Sequence, residues 1–160
     1  TNVFAMAYTF HGFIEPMTKR GRGKLVGIAS VSGIRGLPGS EAYGASKSAV
    51  ITYNESLRVG LRKTGIKVQT ISPGFVRTPL TSANPYKMPF VLTPDEFAER
   101  AVKTIDSDAS YRTIPWQMGL LAKAMRIAPN CLWDKIVANR KQKPRLADKQ
   151  KAEAEAAQRK

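Results

Sequence analysis

Tyr43 and Lys47 lie four residues apart in the run Glu41-Ala-Tyr-Gly-Ala-Ser-Lys-Ser-Ala-Val-Ile. On a helix this spacing stacks the two side chains on one face, a turn apart. A phenol beside an ammonium is a proton-transfer device. The cation favours the phenolate, and a phenol so poised can act as acid or base near neutral pH. Four-apart pairs are also common on ordinary helix faces, so the elements around the pair must decide between chemistry and coincidence.

Those elements are legible. Between Pro38-Gly39 and Thr64-Gly65 there is no proline, and Ala42, Ala45, Ala49, Tyr53, Leu57 and Leu61 recur at the spacing of one long amphipathic helix. Upstream, Gly23-Lys-Leu-Val-Gly-Ile-Ala-Ser30 is a short apolar run without alternation, the pattern of a parallel strand buried on both faces. A turn-rich stretch follows at 32–39. Downstream, Gly65-Ile-Lys-Val-Gln-Thr-Ile71 reads as a second strand, closed by Ser72-Pro73-Gly74. The order predicts a right-handed βαβ unit with parallel strands. Ligands of open α/β sheets sit beyond the carboxyl ends of the strands. Ser30, the start of the long helix and Pro73-Gly74 therefore share the edge where chemistry would be done.

These residues resemble the carboxyl-terminal half of a short-chain dehydrogenase/reductase. The resemblance rests on Asn2-Val3, Ile28-Ala-Ser-Val-Ser-Gly33, Tyr43-Gly-Ala-Ser-Lys47, Ser56-Leu57, Gly65-Ile66 and Pro73-Gly-Phe-Val-Arg-Thr78, and it covers residues 1–115. It implies an α/β fold: a Rossmann-like, doubly wound parallel sheet, present as its carboxyl-terminal part of about three strands with flanking helices. It also implies an oxidoreductase that moves hydride between NAD or NADP and an alcohol or carbonyl substrate.

Members of that family use an Asn, Ser, Tyr, Lys tetrad, with the serine thirteen positions before the tyrosine. Counting back from Tyr43 reaches Ser30, with Ser32 a neighbour. On that pattern Tyr43 exchanges a proton with the substrate oxygen. Lys47 supports the phenolate and holds the nicotinamide ribose hydroxyls. Ser30 hydrogen-bonds the same substrate oxygen, so Ser30 and Tyr43 together form the substrate contact. Asn2 holds a water that links Lys47 to solvent. Pro73, Gly74, Val76 and Thr78 line the nicotinamide, the Val76 backbone and Thr78 side chain near its carboxamide. Without the family, Pro-Gly after a strand is simply a turn, and an asparagine near a helix start is simply a cap.

The chain departs from the pattern in one respect. No G-x-G-x-x-G-like run follows a strand: Gly21-Arg-Gly23 precedes one, and Gly33, Gly36 and Gly39 follow the strand that bears Ser30. The residue that would select NAD or NADP is missing too. The chain opens with Thr1 in what should be mid-helix. The expectation is a fragment whose catalytic residues are present while adenosine and pyrophosphate have no seat, leaving little or no activity alone. The competing reading is a non-catalytic module derived from the same family, which dimerises or binds a membrane or partner.

The rest of the chain bounds the partners. Apolar content of 42% suits a packed core, and no apolar run is long enough to span a bilayer; the expected setting is cytoplasmic. The lone Cys131 reads as a small packing residue and the lone His11 lacks triad or metal partners, so no metal site is expected. The formal charge of +14 divides evenly between residues 1–115 and 116–160, with no aromatic platform interleaving the basic residues, which argues against nucleic acid.

Residues 1–20 read as a helix ending near Glu15-Pro16. By the family resemblance, this helix and the Tyr43 helix form a homodimer or homotetramer contact. Residues 79–93, with several prolines, suit a mobile cover over the site, in which Phe75, Leu80, Met88 and Phe90 are candidates for an apolar wall against a hydrophobic substrate. Thr93-Pro-Asp-Glu starts a helix to Ile105, and Tyr111-Arg-Thr-Ile114 is a last strand. In 116–140, Trp116, Leu120, Ala124 and Ile127 share a helical stripe. The favoured reading is a terminal helix packed on the sheet or a second subunit; the other is a basic amphipathic helix on an anionic membrane. Residues 141–160 read as a polar, disordered tail.

Overall fold

The computed structural model describes residues 2–138 except Ala83 and Pro85, and excludes the Leu80 side chain. The expected tail at 141–160 lies outside the described residues. Three parallel strands, β1 (Gly23–Ile28), β2 (Ile66–Pro73) and β3 (Tyr111–Ile114), lie in the order β1-β2-β3. Helix α1 (Asn2–Arg20) precedes β1. Helix α2 (Glu41–Gly60) joins β1 to β2, and α3 (Pro79–Ser82) and α4 (Pro94–Asp106) join β2 to β3. Helices α5 (Trp116–Ile127) and α6 (Asn130–Val137) follow.

Both faces of the sheet are covered. Phe10, Leu25, Ile66 and Val68 form one core with Met6, Ile14 and Met17 of α1 and Tyr53 and Leu57 of α2. Ile71, Leu92, Ala101 and Ile114 form the other, with Val26 of β1 and Phe97 and Ile105 of α4. Burial from two sides removes the need for alternation, which is why these strands read as continuous apolar runs. One polar contact is built into the first core. The buried Asn54 of α2 donates to Thr70 Oγ1 at 3.0 Å, and its amide occupies the space where Gly27 would carry a Cβ.

Three expectations are corrected. Helix α1 does not stop at Glu15-Pro16 but runs to Arg20 with Pro16 inside it. Ile14 and Met17, on either side of the proline, both pack on the core, and Gly12, whose carbonyl the Pro16 ring must clear, is exposed with open space around it. Tertiary packing outweighs the local break. Cys131 is exposed, not packed. Helix α6 buries Trp133 and Val137, four apart, and that leaves Cys131 on the opposite side. Phe90 is half-exposed and takes a left-handed φ of 54°, so it is no part of an apolar wall.

The expected start of α4 is present as a full capping box. Thr93 Oγ1 accepts from Glu96 N at 3.2 Å, and Glu96 Oε2 accepts from Thr93 N at 2.8 Å. The Thr93 backbone bond holds the Glu96 carboxyl below the usual glutamate range.

Candidate active site

Lys47 and Tyr43 share a face of α2 near its amino-terminal end, as their spacing requires. Lys47 Nζ lies 5.8 Å from the Tyr43 ring centroid and donates to the carbonyl of Ile28, the last residue of β1, at 2.9 Å. Helix α2 thereby ties the pair to the carboxyl edge of the sheet. Partial burial strips water from Nζ and lowers its pKa below the ordinary lysine value. Tyr43 is 48% exposed, so its hydroxyl-bearing ring is open to an incoming molecule.

Ser30 follows β1 by two residues and is buried. Its backbone is extended, and its Oγ accepts from Ser32 N at 3.2 Å, capping a single 3-10 turn, Val31–Gly33. That turn lies in backbone contact with α2. A Cβ on Gly33 would come within 2.6 Å of the Lys47 carbonyl carbon, and one on Gly44 within 3.1 Å of the Ser32 oxygen. Two bare α-carbons therefore bring the strand tip bearing Ser30 against the helix bearing Tyr43 and Lys47.

Asn2 is exposed at the start of α1. Its amide donates to Ser46 Oγ at 3.0 Å, and Ser46 in turn donates to the Tyr43 carbonyl at 2.8 Å. Asn2 thus reaches the site through Ser46, between Tyr43 and Lys47 on the chain. Pro73 ends β2, and Gly74 N donates to Ile114 O at 2.8 Å. Val76 and Thr78 are joined by a residue that sequence reading passed over: Thr81 Oγ1 donates to Val76 O at 2.8 Å and lies 3.2 Å from Thr78 Oγ1. A threonine three residues after Thr78 was the available signal, since a hydroxyl at that distance can reach back to the chain.

Beyond the tetrad, Phe75 packs on Tyr86 with ring centroids 6.2 Å apart, whereas Met88 lies against Asn84. Arg35, in the loop after the Ser30 turn, was also passed over. It donates to Met125 O at 2.7 Å and to Asn130 Oδ1 at 2.8 Å, and its guanidinium lies 5.1 Å from the Trp133 ring centroid. This side chain ties the loop beside the site to the terminal helices, and Trp133 Nε1 does the same by donating to Gly36 O at 3.1 Å.

The family model for short chain dehydrogenases matches residues 1–88. A protein of Myxococcus xanthus, named an uncharacterized oxidoreductase, is 41% identical over 134 residues, which is 84% of this chain and 53% of that protein. Another so named, from Staphylococcus saprophyticus, is 36% identical over 101 residues, 63% of this chain and 43% of its own. The chain spans about half the length of the curated relatives it matches. Among solved structures, a short chain dehydrogenase from Burkholderia cenocepacia in complex with NADP superposes with a TM-score of 0.73 at 17% identity, over 85% of this chain and 56% of that one. One from Sphingobium yanoikuyae in complex with NADPH gives 0.67 at 23% identity, over 90% and 56%. These structures share the fold, a parallel sheet with flanking helices, and the family model, which matches more than half of the chain, shows that the chain belongs to the short-chain dehydrogenase family.

Proposed function

We propose that this chain carries the proton-transfer half of a nicotinamide-dependent alcohol–carbonyl oxidoreductase, with Ser30, Tyr43 and Lys47 as its catalytic groups and Asn2 as the residue of the tetrad that positions them. The observation that carries this reading is the Lys47 ammonium held at the end of β1, 5.8 Å from the Tyr43 ring, with the Ser30 turn packed on the same stretch of helix. The donor set fits a nicotinamide riboside. Lys47 spends one of its three donors on Ile28, and the others suit ribose hydroxyls. Pro73, Gly74, Val76 and Thr78 would line the ring. Family membership, and the NADP and NADPH held by the two solved proteins named above, support NAD or NADP. That cofactor supplies hydride exchange with the substrate carbon.

The chain's own residues manage the oxygen. In the reducing direction Tyr43 gives its proton to the carbonyl oxygen as the alcohol forms, and the neighbouring ammonium steadies the phenolate that remains. Ser30 donates to that same oxygen and fixes its position. Asn2, acting through Ser46, braces the helix turn between Tyr43 and Lys47. Tyr43→Phe keeps the ring and removes the proton. Turnover, read in a polypeptide that unites these residues with a dinucleotide-binding half, should fall about 10²–10⁴-fold with an unchanged melting temperature. Full turnover would overturn the assignment.

The same reading covers the organisation of the chain. Residues 1–115 form the catalytic portion, and the terminal helices α5 and α6 follow it. Among the described residues no strand is followed by a G-x-G-x-x-G-like phosphate turn, so these 160 residues should bind NADH or NADPH weakly by themselves. Tight binding in a nicotinamide-fluorescence titration would show that another part of the chain holds the pyrophosphate. Phe4 and Tyr8 on the outer face of α1 stack on one another, with Tyr8 76% exposed, which supports a homodimer or homotetramer contact there.

A further inference from the structure

We infer that Asn54 is a positioning residue for the transfer step: its buried amide sets how far along the sheet α2 sits, and so where Tyr43 stands relative to the end of β2. The inference rests on the oxidoreductase reading for the reaction it serves, and on packing for the role itself.

The reaction needs two elements in step. Hydride must reach the carbonyl carbon as the proton reaches its oxygen. Tyr43 is delivered by α2, whereas Pro73 and Gly74, which would line the nicotinamide, are delivered by the carboxyl end of β2. Much of the contact between α2 and the sheet is apolar, with Tyr53 and Leu57 packed on Leu25, Ile66 and Val68. Apolar contact has no preferred direction, so it tolerates a small slide or roll of the helix. A directional contact is needed to fix the register.

Asn54 supplies it. The side chain is among the most deeply buried in the protein and donates to Thr70 Oγ1 at 3.0 Å, three residues before Pro73. Its amide fills the space over Gly27 that a Cβ would take, and Gly27 and Thr70 are partners on one rung of the β1–β2 ladder. Lys47, seven residues earlier and so on the same face of the helix, donates to the carbonyl of Ile28 on the next rung. Two polar side chains thus index α2 against two successive rungs. Asn54 is the one that reaches β2, the strand that would carry the nicotinamide site.

The amide is costly where it stands. Asn54 Oδ1 is buried and finds no hydrogen-bond partner among the described residues, and an orphaned acceptor lowers stability. A leucine of similar size would pack there without that loss. A lone polar group in an apolar seam exchanges stability for register, as a single asparagine does between the helices of a coiled coil.

The test combines Asn54→Leu with Thr70→Val in one chain. Removing both partners orphans neither and keeps both volumes close to native, so the melting temperature should equal or exceed that of the parent. In the 160-residue chain, Lys47 is followed by NMR through ¹³C at its ε-carbon. Its titration midpoint, held below the ordinary lysine value by partial burial, should rise towards that value as α2 slips and Nζ leaves Ile28 for water. In the polypeptide united with a dinucleotide-binding half, kcat should fall about 10²-fold with KM little changed, because every reacting group is present but misplaced. An unmoved Lys47 midpoint, or full kcat in the double variant, overturns the inference. A double variant that no longer folds overturns it too, since the amide would then serve stability and not register. If the Lys47 midpoint moves but the united parent polypeptide transfers no hydride, the oxidoreductase reading falls and the role of Asn54 in seating α2 stands.

Discussion

Lys47 shows how one residue can serve function at the expense of stability. Its ammonium is drawn out of water towards the Ile28 carbonyl, and burial lowers its pKa. The unfolded chain then holds that proton more tightly than the folded one. The penalty is fully present at neutral pH and is relieved as pH rises through the lowered folded value towards the ordinary lysine range. Lys47→Met removes the penalty and leaves Ile28, itself half-exposed, to water. We expect its melting temperature at neutral pH to equal or exceed that of the parent chain, and its alkaline gain in stability to shrink, while hydride transfer is lost. A melting curve lowered at every pH would mean that the bond to Ile28 outweighs desolvation. The positions of Tyr43, Lys47 and Ser30 were legible because four-residue and thirteen-residue spacings are one-dimensional facts. Thr81 and Ser46 were not, because their value lies in which groups they reach.

At the scale of elements, the decisive joint is the 3-10 turn against α2. Gly33 must lack a side chain because the Lys47 and Ser48 backbone occupies that space. Gly33→Ala should cost about 1–3 kcal/mol in urea unfolding, the usual cost of forcing atoms into a packed contact, and should reduce turnover by displacing Ser30. Gly44→Ala meets only the Ser32 oxygen, at 3.1 Å. There the gain of about 1 kcal/mol for alanine over glycine inside a helix offsets the crowding, so its stability should stay near that of the parent. If the two variants behave alike, the turn is not clamped where the structure puts it. The long helix, both long strands and the α4 cap could be read from periodicity and end signals. The continuation of α1 through Pro16 could not, since the packing of Ile14 and Met17 on the sheet's core decides it.

Two apolar exteriors among the described residues bear on partners. One is the outer face of α1. The other is the stripe of Trp116, Leu120 and Ile127 on α5, with Trp116 63% and Ile127 81% exposed and Lys123 on the same side. The sequence shows that stripe but not its direction: the opposite face, with Met118 and Ala122, is the one buried. No helix among the described residues is long and apolar enough to cross a membrane. An exposed tryptophan stripe with lysine in a strongly cationic chain suits the surface of an anionic bilayer, and we propose a peripheral contact there. The chain should co-sediment with vesicles containing phosphatidylserine and be released by salt, and Trp116→Ser with Ile127→Ser should abolish this. Tyr8→Glu should leave vesicle binding intact and shift the oligomer towards monomer in light scattering. Binding to neutral vesicles as strong as to anionic ones would argue against the electrostatic part of the proposal.

The sequence by itself determined the parallel βαβ order, the helix that carries Tyr43 and Lys47, and the strand ends at which Ser30 and Pro73-Gly74 stand. Each of these follows from periodicity, spacing or local conformational preference, which act over a few turns of chain. Only the tertiary structure decided that Gly33 seats the turn on α2, that Arg35 holds the terminal helices to the loop beside the site, and that α5 turns its methionines inward and its tryptophan outward. Those outcomes depend on which of two plausible faces finds a partner, and the partners lie tens of residues away.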